Sequence, residues 1–161
     1  MRGGALPPAL LCAAVGLALA FAPRRAWLPS LVILTSAALV LATLPIPRAW
    51  LEGVFLGGWV SVAATAATVH LPRGVTARSA VALSLNAGVW CGAEVALAGL
   101  RLDIVKALFY VLLLIPTSFI VRRRAPIIVK VAASWLIAVA VLAATLQFLP
   151  VTPGYLPDHL D

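Results

Sequence analysis

Long apolar segments, separated by proline, glycine and arginine, constrain this chain more than any other feature of its sequence. We interpret six of them as membrane-spanning helices. Most have about 19 to 24 residues, enough to cross about 30 Å of hydrocarbon at 1.5 Å per residue. Their expected bounds are about 7–22, 27–45, 49–70, 78–99, 103–121 and 126–149. The first is the shortest. The sequence therefore predicts an all-α membrane protein, an antiparallel bundle of about six transmembrane helices.

Composition supports a bilayer as the solvent of this chain. Of its 161 residues, 63% are hydrophobic and 11% are charged, whereas a soluble domain has about a quarter of its residues charged. So few polar side chains cannot cover the surface of a soluble protein. The short loops favour antiparallel neighbours and leave no room for a soluble catalytic domain. A short proline-rich acidic tail, residues 150–161, follows the last predicted helix.

The net charge of +7 is distributed in short clusters between the apolar segments. Loop charge of this kind sets membrane topology, so we expect the lipid bilayer, and not nucleic acid, as the partner. The more basic side of the bundle carries Arg24, Arg25, Arg73, Arg78, Arg122, Arg123, Arg124 and Lys130. The other side carries Arg2, Arg48, Arg101 and Lys106. The positive-inside rule then predicts an inner (cytoplasmic) membrane protein with both termini external.

Two rows of small residues predict close helix packing. Positions four apart share one face of a helix, and small side chains let helix backbones approach closely in lipid. The rows comprise Gly53, Gly57 and Ser61 in the third segment, and Ser84, Gly88 and Gly92 in the fourth. Because a short loop joins these segments, we expect the two rows to face each other. The alternative is contact with another subunit, so a homo-oligomer or other membrane subunits are the expected protein partners.

A polar row lies on the opposite face of the fourth segment. Asn86, Trp90 and Glu94 recur every four residues, and Arg101 follows seven residues later. Together with Glu52, Asp103 and bases near the same rim, these residues form a candidate intramembrane polar site. Three interpretations remain open. Glu94 can pair with Arg101 and Asp103 with Lys106; carboxylates can mark a proton or cation path; or the charges can match those of a partner protein.

Other features carry weaker signals. Pro116 predicts a kink in the fifth segment and is a candidate hinge, because proline removes a helical hydrogen bond. Cys12 and Cys91 lie inside apolar segments without metal-ligand spacing, so we expect no metal site and no disulfide framework. No nucleotide-binding or hydrolase motif occurs, and we assign no cofactor and no catalytic residue.

Two function classes fit these observations. The leading interpretation is a non-catalytic subunit or packing partner of an inner-membrane assembly. The alternative is a small secondary transporter or channel that uses Glu94 and Glu52 as proton or cation sites. A membrane enzyme acting on lipid ranks third. A transporter should have a water-accessible cavity that reaches Glu94, whereas a subunit should expose a small-residue or aromatic face.

Overall fold

The fold consists of seven helices in the part of the chain that the structure describes, residues 6–72, 74–98 and 101–148 of a computed structural model. They are α1 Leu6–Leu19, α2 Trp27–Thr43, α3 Leu51–Ala67, α4 Ala77–Ala98, α5 Arg101–Phe109, α6 Leu114–Arg122 and α7 Pro126–Leu146. A 3-10 turn, Tyr110–Leu113, joins α5 to α6. The predicted tail, residues 150–161, lies outside the described residues.

Five helices of the described part are long and apolar enough to cross a membrane. They cover Arg24–Thr43, Arg48–His70, Ala77–Leu97, Leu102–Arg122 and Pro126–Leu146. The fourth of these consists of α5, the 3-10 turn and α6. α1 has 14 residues and is about 21 Å long at 1.5 Å per residue, short of the roughly 30 Å hydrocarbon layer. The all-helical fold is therefore confirmed, with five helices long enough to span a membrane and a shorter first helix, where the sequence predicted about six spans.

The short helix α1 forms the centre of the bundle. Every residue from Leu11 to Leu19 is buried, and α1 contacts α3, α4, α5 and the 3-10 turn. A helix that is apolar on all sides is suited to such a position. Gly16 allows a close approach, since a Cβ atom there would lie 3.1 Å from the carbonyl oxygen of Val111.

The small residues of α4 pack against α2, which corrects the expected partner. A Cβ atom on Gly88 would lie 2.6 Å from the Leu34 carbonyl oxygen, and one on Gly92 would lie 2.6 Å from that of Ala38. Residue numbers rise in the same direction on both helices, so α2 and α4 run parallel. The loop joining α3 to α4 brings those two helices together, but it does not determine which face of α4 each neighbour receives.

Among the described residues, six exposed arginines lie in or beside the loops at one end of the bundle, which we call the arginine rim. They are Arg24, Arg25, Arg78, Arg122, Arg123 and Arg124. Two of these loops approach each other at Gly74, whose φ is 69° and whose Cβ position lies 3.3 Å from the Phe21 carbonyl oxygen. The tight turn between α6 and α7 places Arg124 at φ 61°. Pro126 then occupies the first turn of α7, as predicted.

Candidate functional site

Polar side chains of α4 face α3 along a line that we call the α3–α4 seam: Gly57, Gly58 and Ser61 on α3, and Asn86, Trp90 and Glu94 on α4. The Asn86 amide nitrogen donates to the Ser61 hydroxyl oxygen. The Trp90 indole N–H donates to the side-chain amide oxygen of Asn86 over 3.1 Å. Asn86 thus links α4 to α3 and is itself held by the next turn of α4.

Two consecutive glycines of α3 make room for the large side chains of α4. A Cβ atom on Gly57 would overlap the ring of Trp90, and one on Gly58 would overlap the Oε1 atom of Glu94. The helix backbone therefore lies directly against the indole and the carboxyl group. By contrast, a Cβ atom on Gly53 would meet nothing within 4 Å, so this member of the predicted row does not pack within the described part of the protein.

Glu94 is completely enclosed by the protein. It is 0% exposed, and neither carboxyl oxygen has a hydrogen-bonding partner in the described part of the chain. Gly58, on which the carboxyl group packs, lies near the middle of the span Arg48–His70. Glu94 is therefore placed where a membrane-spanning α3 would hold it within the hydrocarbon layer. The predicted ion pair with Arg101 stays a prediction, because the Arg101 side chain lies outside the described residues.

Two cysteines lie beside this acid, on the side that faces α1. Cys91 is one turn before Glu94 on α4, and its Sγ atom is 3.6 Å from that of Cys12. Both are free thiols and buried, and Cys91 also contacts the Pro8 carbonyl oxygen at 3.5 Å. Their contact was not predictable from the spacing of the two residues, because it depends on α1 being central.

The other acids of the predicted polar site are separate from Glu94. Asp103 pairs with Lys106 at 3.3 Å, which confirms that expected ion pair. Glu52 is exposed on the first turn of α3. The Glu94 side chain, which belongs to α4, packs against α3 further along that helix, at Gly58. The three acids expected at one rim are thus in three different situations: Glu94 is buried, Asp103 pairs with Lys106, and Glu52 is exposed.

A surface groove of about 730 Å³ runs along α5 and the following 3-10 turn. It is lined by Val105, Lys106, Phe109, Tyr110, Leu112 and Leu113. The irregular turn precedes Pro116, which has no N–H to donate to the Leu112 carbonyl oxygen four residues earlier. The sequence predicted the break at Pro116. It did not predict the groove, which requires knowing which side of this segment faces α1.

Among the described residues, no three His, Cys, Asp or Glu side chains come close enough to hold a metal ion. His70 lies at the surface, with its Nε2 atom 3.3 Å from the Ser134 hydroxyl oxygen. Comparison with protein-family models, curated proteins and solved structures finds no match to this chain.

Proposed function

We propose that this protein is a non-catalytic integral subunit of the inner membrane that assembles with further copies of itself. The observation that carries the proposal is the groove along α5 and the 3-10 turn. Its lining side chains are uncovered: Phe109 is 70% exposed, and Val105, Tyr110 and Leu112 are also exposed. A helix that only faces lipid needs no such indentation, whereas a neighbouring protein surface can fill one.

The charge of the groove lining indicates what kind of protein surface could fill it. Lys106 is the only basic side chain in the groove lining. It is 70% exposed although it contacts Asp103. An apolar surface with one cation at its outer end fits an apolar helix that carries one carboxylate at the same depth. That combination occurs on this protein.

The first turn of α3 has the complementary features. Glu52 is exposed there, Trp50 is 65% exposed, and the space beside Gly53 is open. Glu52 and Lys106 lie near the N-terminal ends of helices that start from the same side of the bundle, so they have similar depth. We infer that this turn of one copy enters the groove of the next. The contact joins two different surfaces, so repetition would give a ring or a filament.

Charge reversal tests this contact. Glu52→Lys and Lys106→Glu should each reduce the oligomer fraction, because each places like charges opposite one another, while the double variant should restore it. The oligomer fraction is measured by light scattering in mild detergent and by cross-linking in native membranes. Asp103→Asn is the matched control: it removes the local partner of Lys106, leaves the groove charge unchanged and should preserve assembly.

A substitution at Gly53 provides an independent test. Gly53→Leu should leave the folded monomer as stable as the native protein, since nothing lies within 4 Å of the added Cβ atom, but it should block the proposed docking turn. A native protein that is monomeric in both detergent and membranes would contradict the proposal. So would a double charge-reversal variant that fails to recover the assembly lost in the single variants.

The transporter alternative has mixed support. Glu94 is the kind of buried carboxyl group that it requires, but Glu52 is exposed elsewhere, and the groove lining does not include Glu94. A two-carboxylate path through Glu52 and Glu94 would need a rearrangement of α3. Assembly through the groove needs no such change, and we therefore prefer it.

A further inference from the structure

The enclosed carboxyl group of Glu94 lacks every usual compensation for a buried charge. Its oxygens accept no hydrogen bond in the described part of the protein, and no cationic side chain of that part pairs with it. A carboxylate ion in such a place is costly, whereas the neutral acid is far easier to bury. The site therefore suits a carboxyl group that carries a proton.

The groups around Glu94 suit the binding of a proton and not that of a metal cation. Hard cations such as Ca²⁺ and Mg²⁺ take about six or more oxygen ligands, and Zn²⁺ usually takes four ligands from protein side chains and water. Around Glu94, α3 presents the backbone of Gly58, and α4 presents the Trp90 indole and the Cys91 thiol one turn away. No set of three potential metal ligands exists in the described part. A proton needs only the carboxyl oxygen itself.

We propose that Glu94 is an intramembrane proton-binding site, and that exchange of its proton requires the α3–α4 seam to open beside Gly58. This proposal is independent of the self-assembly proposed above. Among the described residues, the other titratable side chains beside Glu94 are Cys91 on α4 and Cys12 on α1, 3.6 Å apart. Gly57, Gly58 and Ser61, the α3 residues of the seam, carry no ionisable group, so Glu94 is the carboxyl group on which proton exchange there would depend.

The seam is built so that it can close on a neutral acid. Gly58 has no side chain between the α3 backbone and the carboxyl group. On the other side of Trp90, the hydrogen bond from Asn86 to Ser61 joins α4 to α3, and the Trp90 indole donates to the Asn86 side chain within α4. If Glu94 loses its proton, the resulting charge favours contact with water over contact with Gly58. Opening beside Gly58 would supply that water while the Asn86 end stays joined.

Labelling with an apolar carbodiimide tests whether Glu94 is protonated and whether the helices around it open, since the enclosed carboxyl group can meet the reagent only when they separate. The protonated carboxyl group adds across one C=N bond of dicyclohexylcarbodiimide: its oxygen bonds to the central carbon and its proton goes to nitrogen. The acyl group then migrates from oxygen to nitrogen, leaving a stable N-acylurea. Nothing leaves, so the adduct contains the whole reagent. We expect mass spectrometry of labelled native membranes to locate it on Glu94.

Matched reactions make the result specific. A water-soluble carbodiimide with an added amine should modify the exposed Glu52 and leave Glu94 unmodified. Glu94→Gln should abolish the intramembrane adduct, and Glu52→Gln should retain it. The Glu52→Lys variant should also retain it, whether or not that variant assembles, so failure of self-assembly and failure of the proton site give different results. Absence of the adduct from Glu94 in folded native protein would overturn the proposal.

Infrared spectroscopy supplies a measurement that needs no reagent access. A protonated carboxyl group has a C=O stretching band distinct from the bands of a carboxylate and of an amide. The native protein at neutral pH should show this band, and Glu94→Gln should lack it. Identical spectra in this region would mean that Glu94 is ionised, and the proposal would then be wrong.

Discussion

At the scale of single residues, the contact between Gly58 and Glu94 decides how closely α3 and α4 approach. Gly58→Ala should destabilise the protein, because the new Cβ atom would overlap Glu94 Oε1 and lie 2.9 Å from the carboxyl carbon. Overpacking of this kind costs about 1–3 kcal/mol. Combining it with Glu94→Ala removes the overlap, so the double variant should be more stable than the sum of the single effects by about 0.5–3 kcal/mol. Unfolding by denaturant in detergent measures this coupling.

Gly53→Ala is the matched control on the same helix and should be nearly neutral, because its Cβ position is open. Equal losses of stability for Gly53→Ala and Gly58→Ala would contradict the described packing. The four-residue spacing in the sequence predicted that Glu94 lies on the face of Asn86 and Trp90. It could not predict that the carboxyl group packs against the backbone of Gly58, because spacing along one helix leaves the facing helix unknown.

At the scale of helices, the parallel pair α2 and α4 depends on Gly88 and Gly92. Gly88→Leu should separate these helices, because even a Cβ atom there would lie 2.6 Å from the Leu34 carbonyl oxygen and 2.8 Å from the Ala37 Cβ atom. We expect a loss of thermal stability and of about 1–3 kcal/mol in unfolding free energy. Gly53→Leu is the control and should retain native stability. Equal melting temperatures for both variants and the native protein would contradict the α2–α4 contact.

The sequence predicted helices better than it predicted their neighbours. The break near Pro116 and the start of α7 at Pro126 follow from the missing N–H of proline, which is a local property. The small-residue row on α4 was also recognisable locally, as four-residue spacing. Its partner was not, because α2 lies far from α4 in sequence and the loop joining α3 to α4 favoured the wrong neighbour.

At the scale of the whole molecule, α1 shows why six apolar segments need not be six equal spans. Hydropathy identifies α1 as apolar but does not distinguish contact with lipid from contact with protein. Its residues Leu11–Leu19 are buried by the surrounding helices, so the shortest segment became the core. The number of spans in the described part therefore depends on α1 alone.

The side of the membrane on which the chain ends does not depend on α1. Counting back from α7, the five long helices alternate in direction, and α7 starts at the arginine rim with Arg122, Arg123 and Arg124 just before it. The opposite end has fewer basic side chains in the described part, notably Arg48 and Lys106, and Lys106 is paired with Asp103. The positive-inside rule therefore predicts that the arginine rim is cytoplasmic and that α7 ends outside.

Reporter fusions at two positions test this orientation. A reporter that is active only in the cytoplasm should be active when fused after Arg124 and inactive when fused after Phe148, because α7 crosses the membrane between them. A reporter that is active only outside should give the opposite pattern. Replacing Arg122, Arg123 and Arg124 by Gln should weaken the bias and produce mixed activity at both fusion sites, since these residues supply half of the exposed arginines at the rim. Strong cytoplasmic activity after Phe148 in the native sequence would mean that α7 does not cross in the predicted direction, and the arginine rim would then face outward.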